Sequence, residues 1–326
     1  MITDASPCRR EFLVRTALVT AAVATAFTPG TGRTAEPSAR RFKLALSPGS
    51  IGVRASQTEA IQLAHRFGFE AVEPYGDQWA RLSPAELTDL IADLKAKGLV
   101  WAAAGLSVEF RRDDAAFADG LKRLPDLAVA LEKAGVTRVG TWLTPGHGTL
   151  TYLQHFRQHA QRLREVARLL AAHGLSLGLE YVGTFTSRAR QRFPFVHNLA
   201  ETRELIAEIG TGNVGVVLDS WHWWQAGDTE ADLLTLGAKD IISADLNDAP
   251  AGVAKDQQQD GRRELPAATG VIEVAGFLNA LDRLGYAGPV RAEPFNRALN
   301  DLDNDPACAA TIEALRKAVA LTSRPS

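Results

Sequence analysis

From residue 42 to its end the chain repeats one hydrophobic–polar pattern. A stretch with apolar residues at helical spacing runs to a glycine, and a short, nearly continuous apolar run follows. Ser83-Pro84-Ala85-Glu86 opens one such helix with a capping serine, a proline at the first helical position and a glutamate placed for a capping box. Lys97-Gly98 closes it, and the same closure recurs at Phe67-Gly68, Ala134-Gly135, His173-Gly174, Ile209-Gly210 and Leu284-Gly285. The runs between closures predict strands at Lys43–Leu46, Ala71–Glu73, Val100–Ala103, Arg138–Trp142, Ser176–Glu180, Val214–Leu218, Ile241–Asp245 and Val290–Glu293.

Eight short apolar strands alternating with helices predict an α/β protein, a single (β/α)8 or TIM barrel whose parallel sheet is covered by helices. The competing architecture, an open doubly wound sheet, calls for a glycine-rich phosphate turn after an early strand. No G-x-G-x-x-G or P-loop pattern occurs. Two loops exceed the cadence: Thr184 to Pro194, with Arg188, Arg190 and Arg192, and Asn247 to Gly270, with Asp256, Asp260, Arg262, Arg263 and Glu264. Loops that follow barrel strands lie on the catalytic face, so both are expected to shape the pocket.

Residues 1–35 break the pattern and read as a twin-arginine export signal. Arg9-Arg10-Glu11-Phe12-Leu13 precedes the short apolar run Ala17 to Phe27, then Pro29-Gly30, with small residues near Thr34-Ala35 for cleavage. The run is shorter than the roughly 20 residues that span a bilayer. The expected mature domain is 36–326, a TIM-barrel catalytic domain that is periplasmic or otherwise exported and free of the membrane after cleavage. Of two cysteines, Cys8 lies in the signal, leaving Cys308 alone. The composition, 46% hydrophobic and 23% charged, is that of a globular domain. A net charge of -2 gives no general attraction for nucleic acid or an anionic membrane, which needs a basic face.

The chemistry concentrates where the late strands run out: Glu180 after Leu177-Gly178-Leu179, Asp219 after Val216-Val217-Leu218, Asp245 after Ser243-Ala244, and Glu293 after Arg291-Ala292. Four carboxylates converging on one barrel mouth repel one another unless a cation sits between them. Oxygen donors favour an ion such as Mn²⁺ or Mg²⁺ over a thiolate-type zinc site. Any one of the acids has the alternative role of helix N-cap or partner to a loop arginine. In Asp219-Ser220-Trp221-His222-Trp223-Trp224 the acid and His222 are read as separated by a turn rather than by helical spacing. His222 is then a substrate contact or an orienting partner of the metal site. Trp142, Trp221, Trp223 and Trp224 offer either apolar platforms for sugar faces or core packing. Glu73, His147, Arg263 and Asn247 stand on strand ends or loops with their roles open.

These residues resemble the sugar phosphate isomerase/epimerase family, the xylose-isomerase-like barrels that include ketose 3-epimerases. The resemblance rests on Leu179-Glu180-Tyr181-Val182-Gly183, Leu218-Asp219-Ser220-Trp221-His222-Trp223, Asp245-Leu246-Asn247-Asp248-Ala249-Pro250, Arg263-Glu264-Leu265-Pro266 with Thr269-Gly270, and Glu293-Pro294-Phe295, and it covers nearly the whole chain beyond the signal. It implies that Glu180, Asp219, Asp245 and Glu293 bind a divalent ion, commonly manganese, cobalt or magnesium, and that Glu180 and Glu293 exchange protons with the substrate. His222, Trp142, Arg263 and Asn247 are the expected substrate contacts. The chain departs from the family pattern at Asp245, where epimerases typically have histidine. A further role for Asp245 is to face the substrate or to be balanced by Arg263.

The expected activity is proton abstraction next to a carbonyl through a metal-stabilised enediolate, giving epimerisation or isomerisation of an unphosphorylated keto-sugar or keto-glycoside. Elimination or hydrolysis of a 3-keto-glycoside, and a non-catalytic periplasmic sugar-binding barrel, are the alternatives. A related barrel, the DNA-repair endonuclease type, requires several zinc-binding histidines and a basic groove, whereas no histidine follows His222. The expected partner is a small sugar, with neither nucleic acid nor membrane, and a homo-oligomer is compatible with such barrels.

Overall fold

The computed structural model describes residues 40–322 apart from residue 80. The export signal read at residues 1–35 lies outside the described residues. Strands β1 (Lys43–Leu46), β2 (Ala71–Val72), β3 (Val100–Trp101), β4 (Ala104–Gly105), β5 (Arg138–Trp142), β6 (Ser176–Glu180), β7 (Val214–Asp219), β8 (Ile241–Leu246) and β9 (Pro289–Ala292) form one parallel sheet. Its order is β3-β2-β1-β9-β8-β7-β6-β5-β4. The two ends of that order, β3 and β4, are consecutive pieces of one stretch of chain. The sheet therefore closes on itself, and this is the predicted barrel with its third strand broken. The predicted strand Val100–Ala103 is split because Val100–Trp101 pairs with β2 while Ala104–Gly105 pairs with β5.

Helices α1 (Gln57–Phe67), α2 (Pro84–Ala96), α3 (Asp114–Ala134), α4 (Tyr152–Ala171), α5 (Leu199–Ile209), α6 (Ser220–Ala226), α7 (Val274–Arg283) and α8 (Asn304–Ala320) follow the strands in turn. Their ends obey the chemistry of their caps. Ser83 accepts from the Glu86 N–H while the Glu86 carboxylate accepts from the Ser83 N–H, and Gly68, in the left-handed region at φ 75°, ends α1 where a side chain would be strained. Apolar residues on the inner faces of the helices and on the strands form the main core.

Register decides what meets at the barrel mouth. Asp219 on β7 pairs with Asp245 on β8, Asp245 pairs with Arg291 on β9, and Trp142 on β5 pairs with Glu180 on β6. Paired residues of a parallel sheet point to the same face, and residues two apart on a strand share it. Arg291 and Glu293 are therefore both delivered to the interior beside Asp245. Among the described residues, no helix is long and apolar enough to cross a membrane.

Candidate active site and metal centre

The four acids at the strand ends come together. Each of Glu180, Asp219, Asp245 and Glu293 offers a carboxylate oxygen within 4.8 Å of the others. Asp219 and Asp245 are fully buried and Glu180 nearly so. Asp219 also caps α6, accepting from the Trp221 N–H at 2.7 Å. The sequence read a turn between Asp219 and His222, but the helix begins directly after the strand and places His222 on its first turn. Gly183 makes this approach possible, since a Cβ there would stand 2.4 Å from the His222 carbonyl oxygen.

Two guanidinium groups enter the ring. Arg263, fully buried, donates from Nη1 to Asp219 Oδ2 at 2.7 Å and to Glu293 Oε2 at 3.4 Å. From Nη2 it donates to Asp260 Oδ1 at 2.9 Å and toward His222 Nε2 at 3.2 Å. The ring of Phe295, itself at a left-handed φ of 43°, lies 4.7 Å from the Arg263 guanidinium and steadies it. Arg291 grips Asp245 with two bonds, Nε to Oδ1 at 2.6 Å and Nη2 to Oδ2 at 3.0 Å, and reaches Glu293 Oε1 at 3.2 Å. The balance expected for Asp245 from Arg263 thus comes from Arg291.

The remaining predicted residues divide. His222 is buried beside the ring and, with Trp142, Glu180, Arg263, Glu293 and Phe295, lines a cleft of about 570 Å³. Trp142 is 45% exposed there, whereas Trp221 and Trp223 are core residues. Asn247, expected as a substrate contact, is instead fully buried. Its amide donates to both Asp219 oxygens at 3.0 and 3.1 Å, and its carbonyl accepts from the Glu293 N–H at 2.9 Å, so it braces two members of the ring. Sequence reasoning missed Arg291 and the anchoring role of Asp248. Asp248 accepts from the N–H groups of Ala249, Thr269, Gly270 and Ile272 at 2.7–2.9 Å and ties down the loop that carries Arg263.

Burial, followed by the neighbouring Glu293, Asp219 and Asp245 carboxylates, holds the Glu180 carboxyl well above the ordinary carboxylate range. Burial likewise pushes Glu293 up to about 8 against the opposing pull of Arg291, and it raises Asp245. His222 is held below its ordinary value, again chiefly by burial. The four carboxylates of the ring outnumber the two guanidiniums, which Asp260 and Glu73 also share, so the ionised ring carries an excess of negative charge that a divalent cation offsets. Glu180 Oε1 is buried without a hydrogen-bond partner, an orphan atom that a cation would satisfy. The four acids offer oxygen, and a ring nitrogen of His222 lies within 4.8 Å of ligand oxygens of Glu180 and Asp219, a set that an intermediate divalent cation accepts. The residues fit such an ion.

The sequence profile of the Xylose isomerase-like TIM barrel family matches residues 61–318. The chain belongs to this family. Within it, 136 residues are 26% identical to an inosose isomerase of Halalkalibacterium halodurans, covering 41% of this chain and 44% of that one. A stretch of 139 residues is 30% identical to a 3-dehydroshikimate dehydratase of Pseudomonas aeruginosa, covering 42% of this chain and 20% of that one. The matches span less than half the length of these curated relatives. A xylose isomerase domain protein from Alicyclobacillus acidocaldarius superposes with a TM-score of 0.76 at 30% identity, over 86% of this chain and 99% of that one. The IOLI protein with a bound zinc atom superposes at 0.72 and 18% identity, over 87% and 100%, a likeness of fold.

Proposed function

We propose that the chain is an exported, metal-dependent isomerase or epimerase that moves a proton at the carbon next to the carbonyl of an unphosphorylated keto-sugar, free or glycosidic. The observation that carries this reading is the pair Glu180, buried, and Glu293, part-buried, whose carboxylates meet in the acidic ring and both line the cleft, each with raised proton affinity. Isomerase and dehydratase relatives support it.

Glu180, Asp219, Asp245 and Glu293 would hold the ion, for which manganese is the first choice and magnesium or cobalt the alternatives. When bound, it supplies Lewis-acid polarisation of the substrate carbonyl and its neighbouring hydroxyl. Glu180 and Glu293 reach the cleft from β6 and from the end of β9, with β7 and β8 between them in the sheet. One carboxylate removes the proton, and the other returns a proton to the opposite face, inverting the carbon. Return to the adjacent carbon gives isomerisation. Arg263 and Arg291 set fixed positive charge beside the position where the substrate oxygens gain negative charge. His222 offers its ring to a substrate hydroxyl from the cleft wall. The twin-arginine pattern expected at residues 1–35 favours an unphosphorylated substrate, since sugar phosphates are chiefly cytoplasmic.

Glu180→Gln and Glu293→Gln are each expected to lower turnover of keto-sugars by roughly 10²–10⁴-fold in Mn²⁺-loaded protein, the span of general acid–base catalysis. Full turnover in both variants would refute the two-carboxyl mechanism.

A further inference from the structure

A cluster of imidazoles lies apart from the acidic ring, under one wall of the cleft. His155 and His159, one helical turn apart on α4, are fully buried, and all four of their ring nitrogens lack a hydrogen-bond partner. Polar atoms left unpaired in this way are costly and uncommon. The His155 ring meets His159 edge to face at 4.2 Å and 87°, and it stands 4.1 Å from the ring of Phe195 and 5.0 Å from that of His147. Phe110 closes the cluster at 5.2 Å from His159. His147 Nδ1 accepts from the N–H groups of Thr149 and Leu150 at 3.0 and 2.9 Å, which puts its proton on Nε2. An edge-to-face pair, with a His147 whose lone pair is already engaged, offers no converging set of lone pairs to a metal ion.

The cluster supports a clasp. Gly146–His147 pairs antiparallel with Phe193–Pro194 and so joins the loop after β5 to the loop after β6. The Phe195 N–H adds a bond to the Pro145 carbonyl at 2.9 Å. The two loops approach so closely that a Cβ on Gly146 would stand 2.5 Å from the Gln191 Cβ. Thr144 and Pro145 on one side of the clasp, and Arg190 and Gln191 on the other, line the large cleft. His147 and Phe195 therefore belong both to the joint between the loops and to the buried cluster beneath it.

The charges around the cluster are of one sign. Arg111, from the loop after β4, and Arg162, on α4 itself, act on His159. Their own acids lie beyond them: Glu109 pairs with Arg111 at 3.0 Å, and Arg162 donates to Asp114, whose side chain is almost wholly exposed. On α5, Glu201 and Glu204 act on Tyr152 at the rim, and Glu201 pairs with His197 at 3.0 Å. Glu180 of β6 faces the cleft. An imidazolium formed in the cluster would thus meet rings and guanidiniums instead of a carboxylate. Burial, reinforced by His147, holds His155 down at about 4, and burial with His155 beside it holds His159 well below its ordinary value.

We infer that His147, His155 and His159 form a proton-operated latch, which packs the clasp shut while its rings are neutral and releases it, opening that wall of the cleft, when they are charged. The sign follows from the direction of the shift. A histidine held at about 4 in the closed state, against an ordinary 6.5, lends its full support above about pH 6.5 and withdraws it as the pH falls toward 4. The inference does not depend on which reaction the acidic ring performs.

Amide hydrogen exchange of the full chain at pH 7 and pH 5, with each rate referred to its intrinsic value at that pH, tests the latch. Residues 144–147 and 193–196 are expected to lose protection by about tenfold or more on acidification, the factor given by one buried histidine released to its ordinary value. The central strand β8 should keep its protection. His155→Leu and His159→Leu should each shrink the loss, and the double variant should abolish it. In the unsubstituted protein, the His155 ring should titrate in NMR well below the ordinary imidazole value of about 6.5. Protection of the two segments that is unchanged between pH 7 and pH 5, an equal fall across β8, an undiminished fall in the folded variants, or a His155 ring titrating near about 6.5 would each overturn the latch.

Discussion

Arg291 shows what one residue contributes to this site. It sits two positions before Glu293, so strand geometry alone aims both side chains inward. Yet an arginine within a barrel strand reads as unfavourable until its partner is known. Asp245 is that partner, fully buried and held by two bonds. Removing one member of a buried pair leaves the other charge uncompensated, at a cost of about 3–5 kcal/mol. Arg291→Met is therefore expected to destabilise the protein by about that amount in urea unfolding, and Arg291→Met with Asp245→Asn should recover much of the loss. A double variant no more stable than the single one would deny the pairing its importance. The acids themselves were legible because a carboxylate directly after an apolar strand demands a reason. The tryptophans were not, because sequence alone does not say which side of a strand or a helix faces the pocket. Trp142 reaches the cleft, while Trp221 turns into the core and donates to Thr184 Oγ1 at 2.8 Å.

At the scale of elements, the cadence of capped helices and short strands carried the barrel, since the local signals for helix ends and strands agree with the closed sheet. The break at β3 and β4 was hidden, because Ala102 and Ala103 look like ordinary strand residues and only the pairing of the flanking segments to different neighbours separates them. The start of α6 was hidden too. Asp219 is both ring member and N-cap, so the helix begins one residue after the strand. The long loop after β8 shows how an element is held without regular structure. Asp248 gathers four backbone N–H groups, and its own backbone exchanges two bonds with Glu264, next to Arg263. Asp248→Ala should release that loop, lower kcat/KM by about tenfold or more and increase proteolytic nicking between residues 250 and 265. Unchanged kcat/KM would show that Arg263 keeps its place without this anchor.

For the whole molecule, the acidic ring is a store of unfavourable electrostatics that the fold tolerates. Glu293 rises from an ordinary value of 4.5 to about 8 on folding, so between these values the folded chain binds more protons than the unfolded one. Its contribution to stability is complete below about pH 4.5 and is lost as the pH rises through about 8. Glu180 acts in the same direction. In metal-free protein, Glu293→Gln, which mimics the protonated form, should gain in Tm over the unsubstituted chain as the pH is raised from about 5 to about 9. Saturating Mn²⁺ should abolish that gain by compensating the ionised ring. A Tm difference that stays constant with pH would show that the ring does not carry its charge in this way.

Deuterium transfer from solvent is the most direct measure of the account as a whole. Mn²⁺-loaded protein turning over a keto-glycoside in D₂O is predicted to place solvent deuterium on the carbon next to the carbonyl, and to lose that incorporation in Glu180→Gln and in Glu293→Gln. Turnover of the same compound with no deuterium at that carbon would contradict proton abstraction by the two glutamates.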